Sequence, residues 1–554
     1  MQNTTRKFWA KSQRLAKLSI FSGALLFAFG KASFAADVPA GTVLADKQVI
    51  RLHSVAETAT LDPQKSADAG ASQLIYQMFE GLVSTDADDN IIPGVAEHWE
   101  ASPDFKTWTF YLRKDAKWSN GDPVTAHDFV YAWRRLVDPK TAAPYSSYLD
   151  FMKVENTQDI IEGKKSPETL GVQALDDYTF QVKLSESIPY AADLTNNVTL
   201  YPVHKATIEK YGDDWTRPEN LVGNGAYSLK ERSINEKITF KRNPNYWNNT
   251  KTVIEEATYY ILTDTSAVAR YRTGELDFSF IPIATYKDPK FREQYKDHIR
   301  NNRKLATYVY EFNLAKPPFD DVRVRKALDL AVERNIITDK ILGYGQTPTF
   351  TFTPNYIFGG SKIQQPDYAN WTQEQRNQEA KRLLQEAGYS RQNPVRSELL
   401  YSTNDGLKTI SVAVTSMWKK NLDGMADISL KNMEWKTFSD LKHRKEFSLA
   451  FGAWVADYNE ASTFLTRYLS NSNQNETNFK SEAYDQLVNS SYKAKTDSER
   501  EEIYAKAEAE LDRNHPFVAI YHYAGLFLKN PKLKGYEGKS PQGIYYIKDL
   551  YLEK

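Results

Sequence analysis

The sequence predicts a mixed α/β protein with more than one domain. Three observations carry that expectation. Short runs of alternating apolar and polar residues are interleaved with segments of helical apolar spacing, the 554 residues exceed what one hydrophobic core serves, and beyond residue 35 no apolar run approaches the length of a membrane span. No internal repeat, low-complexity tract or Gly/Ser-rich linker breaks the pattern, so domain boundaries are expected at compact crossovers rather than flexible tethers.

Residues 1–35 come first. Arg6, Lys7, Lys11, Arg14 and Lys17 precede an apolar run over 18–30, and Ser33, Phe34 and Ala35 provide small residues around a cleavage position, the layout of a secretory leader removed after Ala35. The run is shorter than the roughly 20 residues a membrane-spanning helix needs. Basic and acidic side chains balance at 71 each, but the leader holds six of the bases and none of the acids, so the remainder is mildly acidic and unsuited to nucleic acid. The absence of cysteine excludes a lipid-anchored cysteine, a disulfide and a thiolate metal site. An exported, unanchored chain of this kind is expected in a Gram-negative periplasm.

The body opens on a strand over 48–55 and a turn at Leu61, Asp62 and Pro63. A helix is predicted over 71–82, where Leu74, Ile75, Met78, Phe79 and Leu82 share a face. The alternation in 107–112 marks a strand, and Asn120, Gly121, Asp122 and Pro123 form a turn before a helix over 126–136 whose apolar face is Phe129, Val130, Trp133 and Leu136. Residues 179–184 alternate again as a strand. Further helices are predicted over 322–332, over 375–387 with Gly388 as its C-terminal stop, and over 499–511 with Ser498 and Glu501 in capping-box spacing. Two crossings between domains are expected, at 304–306 and just after Tyr523; two strands passing there between the same lobes would make a paired hinge.

Catalytic motifs are missing. The eight histidines include no H-E-x-x-H or H-x-H pair, and there is no G-x-S-x-G elbow, phosphate loop or cysteine nucleophile, so neither an enzyme nor a bound cofactor is expected. The acidic pairs Asp88-Asp89 and Asp320-Asp321 lie in polar, turn-like contexts and read as solvated surface. Aromatic residues reach 13%, which suits either large cores or the rigid walls of a ligand cavity. The most informative segment is LAFGAWVADYNE over 449–460, an apolar strand-like run that stops at Asp457 between Trp454 and Tyr458. A carboxylate there could face a cationic ligand group, or it could cap a helix with Glu460 at capping-box spacing.

Several motifs recur in a fixed order: PGVAEHW (93–99), WTFYLRKDAKWSNGDPVTAHDFVYAW (108–133), NGAYSL (224–229), NPNYW (243–247) and KPPFDDVRVRKAL (316–328). In these the chain resembles, over essentially its whole mature length, the family 5 extracellular solute-binding proteins of ABC importers, specifically the oligopeptide-binding branch and its murein-peptide-binding relatives. The resemblance implies the periplasmic solute-binding fold, two hinged lobes built from three domains. Domain I is discontinuous, with 36–79, 204–305 and 524–554; domain II is 80–203 and domain III 306–523. It implies a monomer that encloses an oligopeptide and hands it to an inner-membrane ABC permease, with a murein tripeptide receptor as the second reading and a chaperone or hydrolase on the same fold as a third.

In that branch the Asp of a W-x-x-D-Y-N-E motif pairs with the peptide amino terminus, a role that falls here on Asp457. By analogy the main chain at Ala69, Ala453 and Val455 would pair with the peptide as an added strand. Trp435, Trp454, Tyr145 and Tyr523 would wall the pocket. Two departures stand out. Ala306 and Val455 occupy positions where relatives often carry a disulfide, and of the positions that offer cations to the ligand carboxylate (Leu342, Leu407, Lys442 and Phe451) only Lys442 is basic, with Arg444 nearby.

Overall fold

The computed structural model describes residues 36, 38–86 and 89–554, so the expected leader at 1–35 and Asp88 lie outside the described residues. Three larger sheets organise it. One has four strands in the order Val49–Ser54, Glu256–Ile261, Lys237–Arg242, Tyr227–Ser233, so its first strand comes from a stretch of chain far from the other three. A second has four antiparallel strands in the order Ala96–Ala101, Thr107–Leu112, Thr179–Lys183, Val172–Asp176, covered by the helix Ala126–Val137. That helix buries Phe129, Trp133 and Leu136, and Thr125 with Asp128 closes its capping box.

The third sheet has seven strands. Its path runs Phe278–Phe280, Phe517–Lys529, Ile299–Phe312, Leu449–Val455, Val395–Ser402, Ala426–Met433, with Thr347–Pro348 paired beside Phe517–Lys529. The two long strands Ile299–Phe312 and Phe517–Lys529 run antiparallel through both expected crossings, and their register breaks between Arg303 and Thr307. An irregularity there frees backbone that a regular ladder would hold. Apolar burial falls into three clusters, one spread from Ile50 to Leu552, one around Tyr308, Tyr310 and Trp418, and a small one around Tyr271 and Leu528.

Local sequence located most elements but misplaced some ends. The helix expected over 71–82 is Ala69–Met78, because Phe79 is already extended and tertiary contacts take over. Asn224 clamps Glu80 with two hydrogen bonds, accepting from its N–H at 3.0 Å and donating to its carbonyl at 2.9 Å. Gly225 lets this clamp form: a Cβ there would come within 2.5 Å of the Met78 carbonyl carbon. This accounts physically for the N-G-A-Y stretch. The last long helix is Asp497–Asn514 and is capped by Thr496, not Ser498. In the acidic pairs Asp320 is exposed as expected, but Asp321 and Asp89 are not simply solvated. Asp321 caps Val322–Leu330, and Asp89 accepts from Ser540 Oγ at 2.9 Å and the Gln542 N–H at 3.1 Å, tying the turn after Thr85 to the C-terminal loop. Among the described residues no helix is long and apolar enough to cross a membrane.

Candidate ligand cavity

The strand Leu449–Val455 pairs along its full length with Ile299–Phe312, but on its other edge it meets Val395–Ser402 only at Leu449 and Ala450. From Phe451 onward that second edge carries no strand among the described residues and borders a cavity of about 570 Å³. Such a volume lies within the range of roughly 300–1,000 Å³ typical of small-ligand sites. All nine residues singled out in the sequence line it: Ala69, Tyr145, Trp435, Lys442, Ala453, Trp454, Val455, Asp457 and Tyr523. Ala69 begins its helix just after Asp68, which caps the helix by accepting from the Ala71 N–H at 2.7 Å.

Aromatic side chains form much of the wall. Tyr145 stacks parallel to Trp454 with centroids 6.3 Å apart, and the Arg467 guanidinium lies 4.6 Å from the Trp454 ring centroid. Trp435 packs on Phe438, and Tyr523 on Tyr521 and Tyr308. Ala306 and Val455 stand directly opposite each other in the ladder, and Val455 is 36% exposed. Gln542 closes another side by donating to the Ala456 carbonyl at 3.0 Å.

Asp457 caps no helix. The short helix Ser462–Leu465 has Ala461 before it, and Glu460, not Asp457, accepts from the Ser462 N–H at 2.7 Å. The Asp457 carboxylate accepts from Asn197 Nδ2 at 3.1 Å, a contact from a distant part of the chain, and among the described residues it forms no ion pair. Burial pushes its carboxyl up, and the Asn197 hydrogen bond and the Arg467 charge pull it only part of the way back, to about 7.

Lys442 is placed differently from a free cation. Its Nζ donates to Glu311 Oε2 at 2.6 Å and sits 2.8 Å from Glu476 Oε2. Arg467 donates to Glu311 Oε1 at 2.6 Å, Tyr468 Oη donates to the same oxygen at 3.0 Å, and His443 Nδ1 lies 2.8 Å from Glu476 Oε1. Burial works to raise the Glu311 and Glu476 carboxyls, but the adjacent cations outweigh it and hold both below the ordinary range. Arg444 is paired with Glu446 at 3.0 Å near the surface. Glu311, Arg467, Glu476 and Asn197 were missed from sequence. Only Glu311 left a signal there, as an acid inside the apolar run TYVYEF; its side chain lies over Gly452, where a Cβ would come within 2.7 Å of it.

Residues 90–476 match the family model for bacterial extracellular solute-binding proteins, family 5. The chain belongs to that family. Among its relatives, the periplasmic oligopeptide-binding protein OppA of Haemophilus influenzae is 48% identical over 96% of this chain and 98% of that protein. The crystal structure of Haemophilus influenzae OppA in complex with RPPGFSPFR aligns with a TM-score of 0.91 at 49% identity, covering 92% of this chain and all of that one. The Escherichia coli murein tripeptide binding protein MppA aligns at 0.90 and 40% identity, covering 93% and 100%, whereas an unliganded open form of MppA aligns at only 0.65. The structure thus superposes on the peptide complex of OppA better than on the unliganded open form of MppA.

A carboxylate held in this way has a thermodynamic signature. Asp457 titrates near 3.9 in an unfolded chain and near 7 here, so the folded state keeps a proton that the unfolded state has lost. Against the opposing effect of the buried His53, His515 and His522, which burial holds below the ordinary histidine range, this carboxyl should lower the stability of the ligand-free protein as pH rises from about 4 to about 7. Glu508, also raised to about 7, contributes in the same direction. The part due to Asp457 is isolated by comparing melting temperatures of the wild type and Asp457→Asn across pH 5–7.5; the wild type should lose stability relative to the variant as pH rises, and parallel curves would refute the assignment.

Proposed function

We propose that this chain is the periplasmic substrate-binding component of an ABC importer, which captures oligopeptides and delivers them to an inner-membrane permease. The observation that carries the reading is Asp457, a carboxylate with no ion-pair partner among the described residues, just past the end of a strand in the cavity lining. An ammonium group is the natural complement to such a site, and a peptide amino terminus supplies one. The unpaired strand edge at Ala453 and Val455 offers main-chain donors and acceptors to an extended chain of any sequence, with Ala69 contributing from the opposite side. Tyr145, Trp454, Trp435 and Tyr523 then present broad, rigid surfaces to varied side chains.

In this reading 36–79, 204–305 and 524–554 form domain I, 80–203 domain II and 306–523 domain III, and the protein works as a monomer that binds without catalysis. The lobes move about the paired strands at 304–306 and 524, where the register breaks. Hinge closure predicts a smaller radius of gyration with peptide than without in solution scattering; identical curves would argue against it. The reading as a whole is tested by denaturing protein purified from its native periplasm and identifying released small molecules by mass spectrometry. A set of intact mixed peptides is expected. A single murein fragment, a non-peptide or cleaved products would replace it.

A further inference from the structure

The charges lining the cavity are unevenly matched. Four carboxylates line it, those of Glu57, Asp68, Asp457 and Glu476, against two permanent cations, Lys442 and Arg467. Glu57 is paired with Arg232 at 2.6 Å, outside the lining. Lys442 and Arg467 both serve Glu311, which is fully buried beneath the wall, and both also lie against Glu476. Two cations against two carboxylates leave this cluster neutral. His443 is the remaining ring at this end, and its Nδ1 already faces Glu476 at 2.8 Å. Lys304, behind Gly543, donates to the Ser540 carbonyl at 3.3 Å and faces Asp89.

A ligand carboxylate brought into this space would find, among the described lining residues, only the permanent cations Lys442 and Arg467, both already paired with carboxylates. Burying an ion without a partner is strongly unfavourable. Among the described residues the buried Nε of Arg467 and Nε1 of Trp454 meet no hydrogen-bond partner. Both are donors that a neutral carbonyl satisfies without adding charge. Around them Phe451, Leu407 and Trp435 give an apolar lining.

We infer that the cavity selects against an enclosed carboxylate and takes peptides that present a free amine while their carboxyl end is amidated or reaches beyond the enclosed volume. This rests on the peptide-receptor reading above and names the substrate class within it. The Lys442–Glu311–Arg467–Glu476 cluster acts as the specificity element by occupying the two cations that would otherwise hold a C-terminus.

The test is calorimetric titration at pH 7.5 with tri-, tetra- and pentaalanine, each as the free acid and as the C-terminal amide. The amide should bind about tenfold tighter at the shortest length that binds. Equal affinities, or a preference for the acid, would overturn the inference while leaving the receptor reading in place. Failure of every form at every length would remove the receptor reading and the inference with it. A second arm uses Glu476→Gln, which leaves a surplus positive charge in the cluster; the acid should gain about tenfold relative to the amide. An unchanged ratio in a variant with wild-type circular dichroism would rule out the cluster as the cause, and the wild-type comparison stands whatever the variant does to folding.

Discussion

Replacing Asp457 by Asn should weaken binding of a free-amine peptide by about 2–5 kcal/mol, or roughly 30-fold to several thousand-fold, while changing the affinity of the N-acetylated peptide far less. Asn keeps the shape and can still meet Asn197, so the variant removes charge and little else. The size of the effect follows from what surrounds the carboxylate: protein on most sides, one neutral hydrogen bond, and a nearby Arg467 already bonded to Glu311. With no competing cation at hand, nearly all of the available electrostatic attraction goes to the ligand. The same geometry sets a pH window. Affinity should fall below about pH 7 as the Asp457 carboxyl takes up a proton, and again above about pH 8 as the peptide amine loses its own. Equal losses for free and acetylated peptides in Asp457→Asn would show that the amine is held elsewhere.

What the sequence disclosed and what it withheld differ in range. Elements with strong periodicity were legible: the strand Thr107–Leu112 has the bounds its alternation predicts, and the helix Ala126–Val137 carries the expected apolar face and a capping box. Ends failed where tertiary contact overrides propensity. Nothing local in 79–82 announces that Asn224, distant in sequence, will clamp Glu80 and stop the preceding helix at Met78. Asp457 stood out because it interrupts an apolar run, yet its two local readings were indistinguishable until Glu460 was found to meet the Ser462 N–H. Lys442 was identifiable as a basic residue at the cavity. Its neutralisation was not, because Glu311, Arg467 and Glu476 come from three other segments and meet only in the folded protein.

That cluster makes the second large prediction. Glu311→Gln should destabilise the ligand-free protein by about 3–5 kcal/mol, because it leaves Lys442 and Arg467 sharing one carboxylate in a buried site. Glu311 is fully buried, and Lys442, Arg467 and Glu476 are each no more than 6% exposed, so water cannot compensate the lost charge. The double variant Glu311→Gln/Lys442→Met removes one charge of each sign and leaves Arg467 beside Glu476 at 3.7 Å. It should recover most of the loss, because the penalty comes from an unmatched charge and not from the absence of an ion pair as such. Urea unfolding of the wild type, the single variant and the double variant reads this directly. A single variant within about 1 kcal/mol of wild type would mean that Lys442 finds another partner or turns toward the cavity. In that case its cation would be free in the variant to hold a ligand carboxylate, so the preference for amidated peptides should weaken in Glu311→Gln relative to the wild type.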